Sequence, residues 1–274
     1  ARIAGFNGQI STIELSGTSA NDLRDKRDLL LEELAGIVDI NVTENDTGQV
    51  DVYIGGSFIV AANKTSELTT AADPRDPDSL SLMLNGGTIN NRISGGSLKG
   101  DLEGIAQYKD ARDRVNLLSA SIVKEVNLAH SAGYGLDGST GADFFSPLSV
   151  YANANSANTG GAAITTGTVT GLSALTLDDY EIRFSGPGAY NVVNLETDAV
   201  VTGGAYTSGS AITFDGLSVV ISHGSKAPQA GDRFVVSATR NAAIEMGVEV
   251  TDPRKIAASA TLAGLPGDNV NAMA

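Results

Sequence analysis

The chain contains no cysteine, no tryptophan and only two histidines. Without cysteine there are no disulfides, no thiolate nucleophile and no sulfur-ligated metal. Aromatic residues make up 5% of the 274 positions, which argues against the aromatic platforms of carbohydrate sites and ligand pockets. Basic residues are the minority, with 18 Lys and Arg against 32 acids and a net charge of −14. Such a surface repels nucleic acid and anionic membranes, and no Lys/Arg cluster offsets it, so neither is expected as a partner. No apolar run reaches the roughly 18 residues of a membrane span. No signal peptide is visible, and a chain opening at Ala1 rather than Met reads as a processed or shortened form.

Catalytic signatures are also missing. Neither the G-x-S-x-G elbow nor the G-x-x-x-x-G-K-[ST] phosphate loop occurs. Gly186-Pro187-Gly188 falls between two strand patterns and reads as a hairpin turn. His130 lies near a predicted helix end and His223 in a β turn. A metal site built on both is not expected, and the simpler readings are a charge favourable to the helix dipole and a solvated turn. Asp73, Asp76 and Asp78 lack the glycine and terminal glutamate of a calcium loop and read as solvated, and Asp137–Gly141 reads first as a polar turn. No cofactor, metal or catalytic residue is assigned, and the chain is read as a non-enzyme.

The strongest pattern present is helical. From Ser97 to Gly133, apolar residues recur at Leu98, Leu102, Ile105, Tyr108, Val115, Leu118, Ile122 and Val126. They form one stripe on a helix about 50 Å long. A helix of that length with one apolar stripe needs a partner along it. Arg112 interrupts the stripe. It either pairs with an acid from a neighbouring helix or lays its stem along the stripe with its head in water.

Two shorter helices come first. Residues 1–15 place Ile3, Phe6, Ile10 and Ile13 on one face. A second helix over about residues 22–37 is capped by Ser19 or Asn21, with Leu23, Leu30, Leu34 and Ile37 on one face and Arg24, Asp25, Lys26, Asp28 and Glu32 on the other. Near Asp39 the period changes to two. Ile40, Val42 and Glu44, then Val50, Val52 and Ile54, then Ser57–Ala61 read as an antiparallel meander. The stretch Ala71–Ser79 is a proline-broken loop, followed by a short strand over Ser79–Leu84. Tyr151–Gly161 is small and polar and reads as a linker. Beyond it, strands are predicted at Thr166–Thr170, Tyr180–Ser185, Tyr190–Leu195, Ala211–Phe214, Leu217–Ser222 and Arg233–Ala238, in a sandwich or barrel. Pro253–Ala260 starts a helix capped by Asp252, and the closing residues read as loop, as if a C-terminal helix were missing.

The expected fold is therefore α+β: a discontinuous helical rod of long antiparallel helices carrying antiparallel β domains. The rod takes residues 1–38, 95–150 and 249–274, the small meander residues 39–94, and the outer sandwich residues 151–248.

Several stretches then resemble the flagellar hook-associated protein 1 (FlgK) family. They are Asn21-Asp22-Leu23, Asp25-Lys26-Arg27-Asp28 and Ile37-Val38, then Gly95-Gly96-Ser97-Leu98-Lys99-Gly100. After the long helix come Asn127, His130, Gly133, Gly138 and Phe144-Phe145. Phe214–Leu217, Ala230–Phe234 and Gly267–Ala272 complete the set, in family order. The resemblance implies a flagellin-like axial protein of the hook–filament junction, secreted through the flagellar type III export channel and located outside the cell in the flagellum. Implied partners are the hook protein, the second junction protein, further copies of itself, and an export chaperone bound through a terminus missing here. Lacking the terminal polymerisation helices, the fragment is expected to be a monomer. Subunit contacts are expected on the helices, with Asp28, Glu32, Arg112 and Lys124 as candidates. A secreted adhesin or glycan-binding module acting through the β domain is the competing reading. It would need aromatics grouped on one β face, whereas Tyr180, Phe184, Tyr190 and Tyr206 are expected to fill the core.

Overall fold

The computed structural model describes residues 1–73, 79–262 and 265. They form two units, Ala1–Lys109 and Asp110–Ala274. The fold is α+β, and all its sheets are antiparallel.

The first unit opens with α1 (Arg2–Glu14) and α2 (Asn21–Ile37), which pack on each other. Ile3 and Ile10 are buried as their spacing predicts, while Ile13 at the edge of that face is 36% exposed. The cap of α2 differs from expectation. Neither Ser19 nor Asn21 caps it; Ala20 occupies the N-cap without a side-chain bond. The Glu14 carboxylate accepts from the Ala20 amide instead, at 3.4 Å, so α1 supplies the group that α2 lacks.

A four-stranded sheet follows in sequential order: β1 (Asn41–Glu44), β2 (Val50–Ile54), β3 (Ser57–Ala61) and β4 (Lys64–Thr65). Val50, Val52 and Ile54 are buried, and the alternate Asp51 and Tyr53 are half-buried. Val50, Val52 and Val60 pack with Ile3, Ala4 and Leu30 of the helices. The next sheet is β5 (Leu68–Ala72), β6 (Leu80–Leu84) and β7 (Gly87–Thr88). Ala71 and Ala72, assigned to a loop from sequence, close β5, and residues 74–78 of that loop, with Asp76 and Asp78, lie outside the described residues.

The long helix is present as α3 (Ser97–Ala132), and it runs from the first unit into the second. It is the only helix of that length among the described residues, since α1 and α2 have 13 and 17 residues. Leu98 and Leu102 of the predicted stripe pack on apolar neighbours, but beyond them the buried face is not the predicted one. Ile105, Tyr108, Val115, Leu118 and Ile122 are 54%, 69%, 55%, 61% and 39% exposed. The buried positions are Asn116, Ala120, Val123, Asn127 and His130, at alternating steps of four and three. On this face Ala120 and Val123 pack on apolar side chains, while Asn116, Asn127 and His130 meet irregular backbone, where hydrogen-bonding side chains let peptide groups approach and find partners. Leucines there would hold those segments away and leave them unpaired.

The second unit holds β8 (Tyr151–Ala154), β9 (Ala162–Val169), β10 (Tyr180–Gly186), β11 (Ala189–Asn194), β12 (Val200–Ala205), β13 (Ala211–Phe214), β14 (Leu217–His223) and β15 (Arg233–Ser237). They make a five-stranded sheet, β12-β11-β10-β15-β8, and a three-stranded one, β13-β14-β9. One core joins them: Tyr180, Ile182, Phe184, Phe234 and Val236 with Ile212, Phe214, Leu217, Val219 and Ile221. Ala120 and Val123 of α3 belong to it.

The predicted linker Tyr151–Gly161 instead begins with β8, which pairs with β15 (Phe234↔Ala154, Val236↔Ala152). Its small residues suit an edge strand whose Ala152 and Ala154 touch the core. The Asp215-Gly216 turn has φ of 38° and 78°, the left-handed pair of a tight hairpin. After a short α4 (Ala242–Glu245), the expected helix from Pro253 is only a 3-10 turn, Pro253–Lys255, although Asp252 caps it by accepting from the Arg254 amide at 3.0 Å. Most of the closing loop, residues 263–264 and 266–274, lies outside the described residues.

Candidate interaction surface of the helices

The motif residues turn out to position backbone. In the first unit, Asp39 follows the Ile37-Val38 turn. Its carboxylate accepts from the Ser94 amide at 3.0 Å, the Gly95 amide at 3.2 Å and the Ser94 hydroxyl. These donors, the Ser94 hydroxyl foremost, hold its pKa below the ordinary value. Gly96, at φ +80°, lies so close to Ile37 that a Cβ would come within 2.4 Å of its carbonyl oxygen. Two stretches that carry the resemblance, Ile37-Val38 and Gly95-Gly96-Ser97, therefore meet where α2 ends and α3 begins.

Arg27, in the Asp25–Asp28 motif, is 2% exposed and donates to the Gly48 carbonyl at 2.6 Å. Arg24 bridges Glu14 at 2.7 Å and Glu44 at 2.6 Å, and its hydrogen bond is the largest cause of the lowered Glu14 pKa. Asn7, buried in α1, donates to the carbonyls of Val50 and Ala62 and accepts from the Val50 amide.

The second unit repeats the device on α3. Asn116 donates to the Arg240 carbonyl at 2.6 Å and accepts from the Ala243 amide at 3.1 Å. Asn127 donates to the Phe145 carbonyl at 2.9 Å and accepts from the amides of Phe144 and Phe145 at 3.0 and 2.8 Å. His130 faces the Ala142 carbonyl through Nδ1 at 2.8 Å and accepts at Nε2 from the Ala257 amide at 3.0 Å. That pattern assigns the ring proton to Nδ1. His130 is thus a buried pin between two segments and not the helix-end charge expected from its position. In the sequence, Arg27 stands out only as part of the Asp25–Asp28 motif, and Asn7 and Asn116 belong to no motif. An amide at a core-facing helical step was the available signal.

The four candidate contact residues fall as follows. Asp28 is on α2 with 64% of its side chain exposed, and Glu32 is exposed one turn on. On α3, the Arg112 guanidinium bonds Asp113 of its own helix at 2.9 Å. Lys124 is only 18% exposed, 3.7 Å from Glu125.

Little here suits chemistry. No group of three or more His, Asp or Glu placed to hold a metal ion occurs among the described residues, and no described helix is long and apolar enough to cross a membrane. The first unit has a groove of about 560 Å³ lined mostly by apolar residues such as Ile3, Leu30, Leu34, Ile59 and Leu68. Its polar lining is Arg2, Glu33, Thr65 and Ser66. In the second unit, burial raises the pKa of Asp179, with a hydrogen bond to Ser237 opposing it. Tyr180, Phe184 and Tyr206 are buried and Tyr190 packs on the same core, so they form no exposed glycan platform.

Comparison with known proteins agrees with this architecture. The model of the flagellar hook-associated protein FlgK helical domain matches residues 1–145. That of the flagellar hook-associated protein 1 D2-like domain matches residues 153–239. The chain is 29% identical to flagellar hook-associated protein 1 of Escherichia coli K12, over all of this chain and 51% of the relative. It is also 29% identical to the Salmonella typhimurium LT2 protein of that name, over 93% of this chain and 47% of the relative. The structure of the flagellar hook junction protein FlgK from Burkholderia pseudomallei superposes with a TM-score of 0.70 at 27% identity, covering 94% of this chain and 49% of that one. The chain thus spans about half the length of the relatives it matches. With a family model covering more than half of its residues, the chain belongs to the FlgK family of flagellar hook-associated proteins.

Proposed function

We propose that this chain is a structural part of the flagellar hook–filament junction, the surface on which filament subunits begin to polymerise. Membership of the FlgK family supports the reading. The observation that carries it physically is the apolar stripe of α3, with Ile105, Tyr108, Val115 and Leu118 each more than half exposed. Large apolar side chains left in water at helical spacing suit a chain that buries them against neighbouring helices, each fully buried side chain contributing roughly 1.5–3 kcal/mol.

In this reading the chain works outside the cell in the flagellum and leaves by the flagellar export channel. The absence of cysteine suits that route, since no cross-link resists unfolding. Its neighbours are the other axial proteins: the hook protein, the second junction protein and further copies of itself. Catalysis has no part in it. Residues 1–38, 95–150 and 249–274 serve as the axial helical domain, extended in the whole protein into a rod of long antiparallel helices. The outer domain spans residues 151–248, and residues 39–94 form the small β part. Asp28, Glu32, Arg112 and Lys124 contribute subunit contacts.

Deleting the gene tests the proposal. Cells with bare hooks and flagellin monomer released into the medium support it; normal filaments overturn it. For the surface, charge reversal at Asp28, Glu32 and Lys124 in the whole protein should impair assembly while the thermal unfolding of the variant stays close to wild type. Normal filament numbers with that variant would refute this placement of the contacts.

A further inference from the structure

α3 is anchored at its ends and bare in its middle. Leu98 and Leu102 pack on the first unit's cluster of Val38, Ile54, Leu84, Ile89 and Ile93. From Asn116 onward the buried face described above holds the helix in the second unit. Between them, none of residues 103–115 is buried, and only Lys109 and Arg112 are even half-buried. Lys109 Nζ donates to the Ser79 hydroxyl at 2.9 Å.

Thirteen residues of helix with no buried side chain among them are marginal in water. Local composition weakens them further. Gly104 begins the stretch and Gly100 lies one turn before it; both are helical, and neither would meet any atom within 4 Å if given a Cβ. Each therefore weakens the helix with no packing requirement to explain it. The pair Arg114–Asp110 supports the helix only weakly, its side chains being 78% and 62% exposed.

We propose that Glu103–Val115 is a locally opening segment of α3, melting and reforming while both ends of the helix stay folded. The segment carries Ile105 and Tyr108, so closing it and covering that part of the stripe become one event for any apolar partner. The inference concerns the isolated chain and holds whether or not it works at the hook–filament junction.

Hydrogen exchange followed by mass spectrometry on the 274-residue chain decides it. Amides of residues 107–115 should exchange at least tenfold faster than those of residues 120–130. Gly104→Ala should slow the middle about fivefold, and adding Gly100→Ala, which lies in the end that stays folded, should slow it no further, as helix propensity requires, without slowing residues 120–130. Equal protection along the whole helix would overturn the proposal. So would a fast middle that the alanines leave unchanged, because the opening would then not be melting of this segment. Trypsin cleavage after Arg112 and Arg114 gives a second readout and should slow in step in the double variant; cleavage that keeps its wild-type rate counts against the proposal.

Discussion

Replacing Asn127 by alanine isolates what the buried amides of α3 contribute. The side chain is 1% exposed and makes three bonds, all to backbone: one to the Phe145 carbonyl and two from the amides of Phe144 and Phe145. An intramolecular hydrogen bond contributes about 1 kcal/mol net, so the loss is about 3 kcal/mol before relaxation. Alanine's better helix propensity returns about 0.5 kcal/mol. Phe144 and Phe145 are half-buried, so water reaches part of the freed backbone and the cost does not rise to the full penalty for dry unpaired groups. The expected loss is about 2–3 kcal/mol. Asn116→Ala removes two such bonds and should cost about 1–2 kcal/mol. Ser121→Ala removes only an exposed bond to its own helix and should be near neutral. Because the chain has two units, a single global midpoint is not a safe measure. Exchange of second-unit core amides, such as those of β10 and β15, under increasing denaturant reads the unit directly. A loss below about 1 kcal/mol for Asn127→Ala would refute the reasoning, since it would mean that water replaces the amide at no cost.

Three further outcomes follow from the same contacts. Asp39 has a lowered folded pKa, so its contribution is fully present above the ordinary value of 3.8 and is lost as pH falls through the lower folded value. Asp39→Asn should flatten the acid limb of a Tm-against-pH curve between about pH 5 and 2; an unchanged limb would contradict the role given to Ser94. Asp179 has the opposite sign: burial raises its pKa, so the stability present while it is protonated is lost as pH rises through the folded value. Asp179→Asn should therefore raise the denaturant midpoint at pH 7, with the gain vanishing in acid, and a gain that persists in acid would point to some other cause. Gly216→Ala should cost about 2 kcal/mol or more in denaturant unfolding, because φ is +78° and a Cβ would come within 2.3 Å of the Gly171 carbonyl oxygen.

Wherever burial followed a simple period, the sequence was a good guide. Val50, Val52 and Ile54 alternate and form a strand with one face inward. The Asp215-Gly216 pair marks a hairpin because few other residues accept two left-handed conformations in succession. Tyr151–Ala154 was misread because an edge strand needs only small residues on its core side, and a small polar sequence looks the same in a strand as in a linker. The caps were misread for a similar reason: the group that completes the start of α2 comes from Glu14, outside the local window.

The long helix shows where periodicity stops being informative. A hydrophobic stripe identifies the face that will be buried, but it does not say by what. In the described residues, α3 uses another face, on which Asn116, Asn127 and His130 bond peptide groups and Ala120 and Val123 enter the second unit's core. Asn116, Asn127 and His130 together satisfy seven backbone groups in three separate segments. A side chain chosen to bond backbone carries no hydrophobic signal, and its spacing is visible only once the segments it holds are known. The consequence for the candidate surface is direct. The residues that dominate the sequence pattern, Ile105, Tyr108, Val115, Leu118 and Ile122, are those the fold leaves free, while Arg27, Asn127 and His130, among the residues that carry the family resemblance, are spent on holding backbone. The stripe is therefore the first place to test for function: alanine at Tyr108 and Leu118 should leave second-unit stability within about 0.5 kcal/mol of wild type yet weaken filament assembly. Equal filament numbers would return attention to the charged positions on α2.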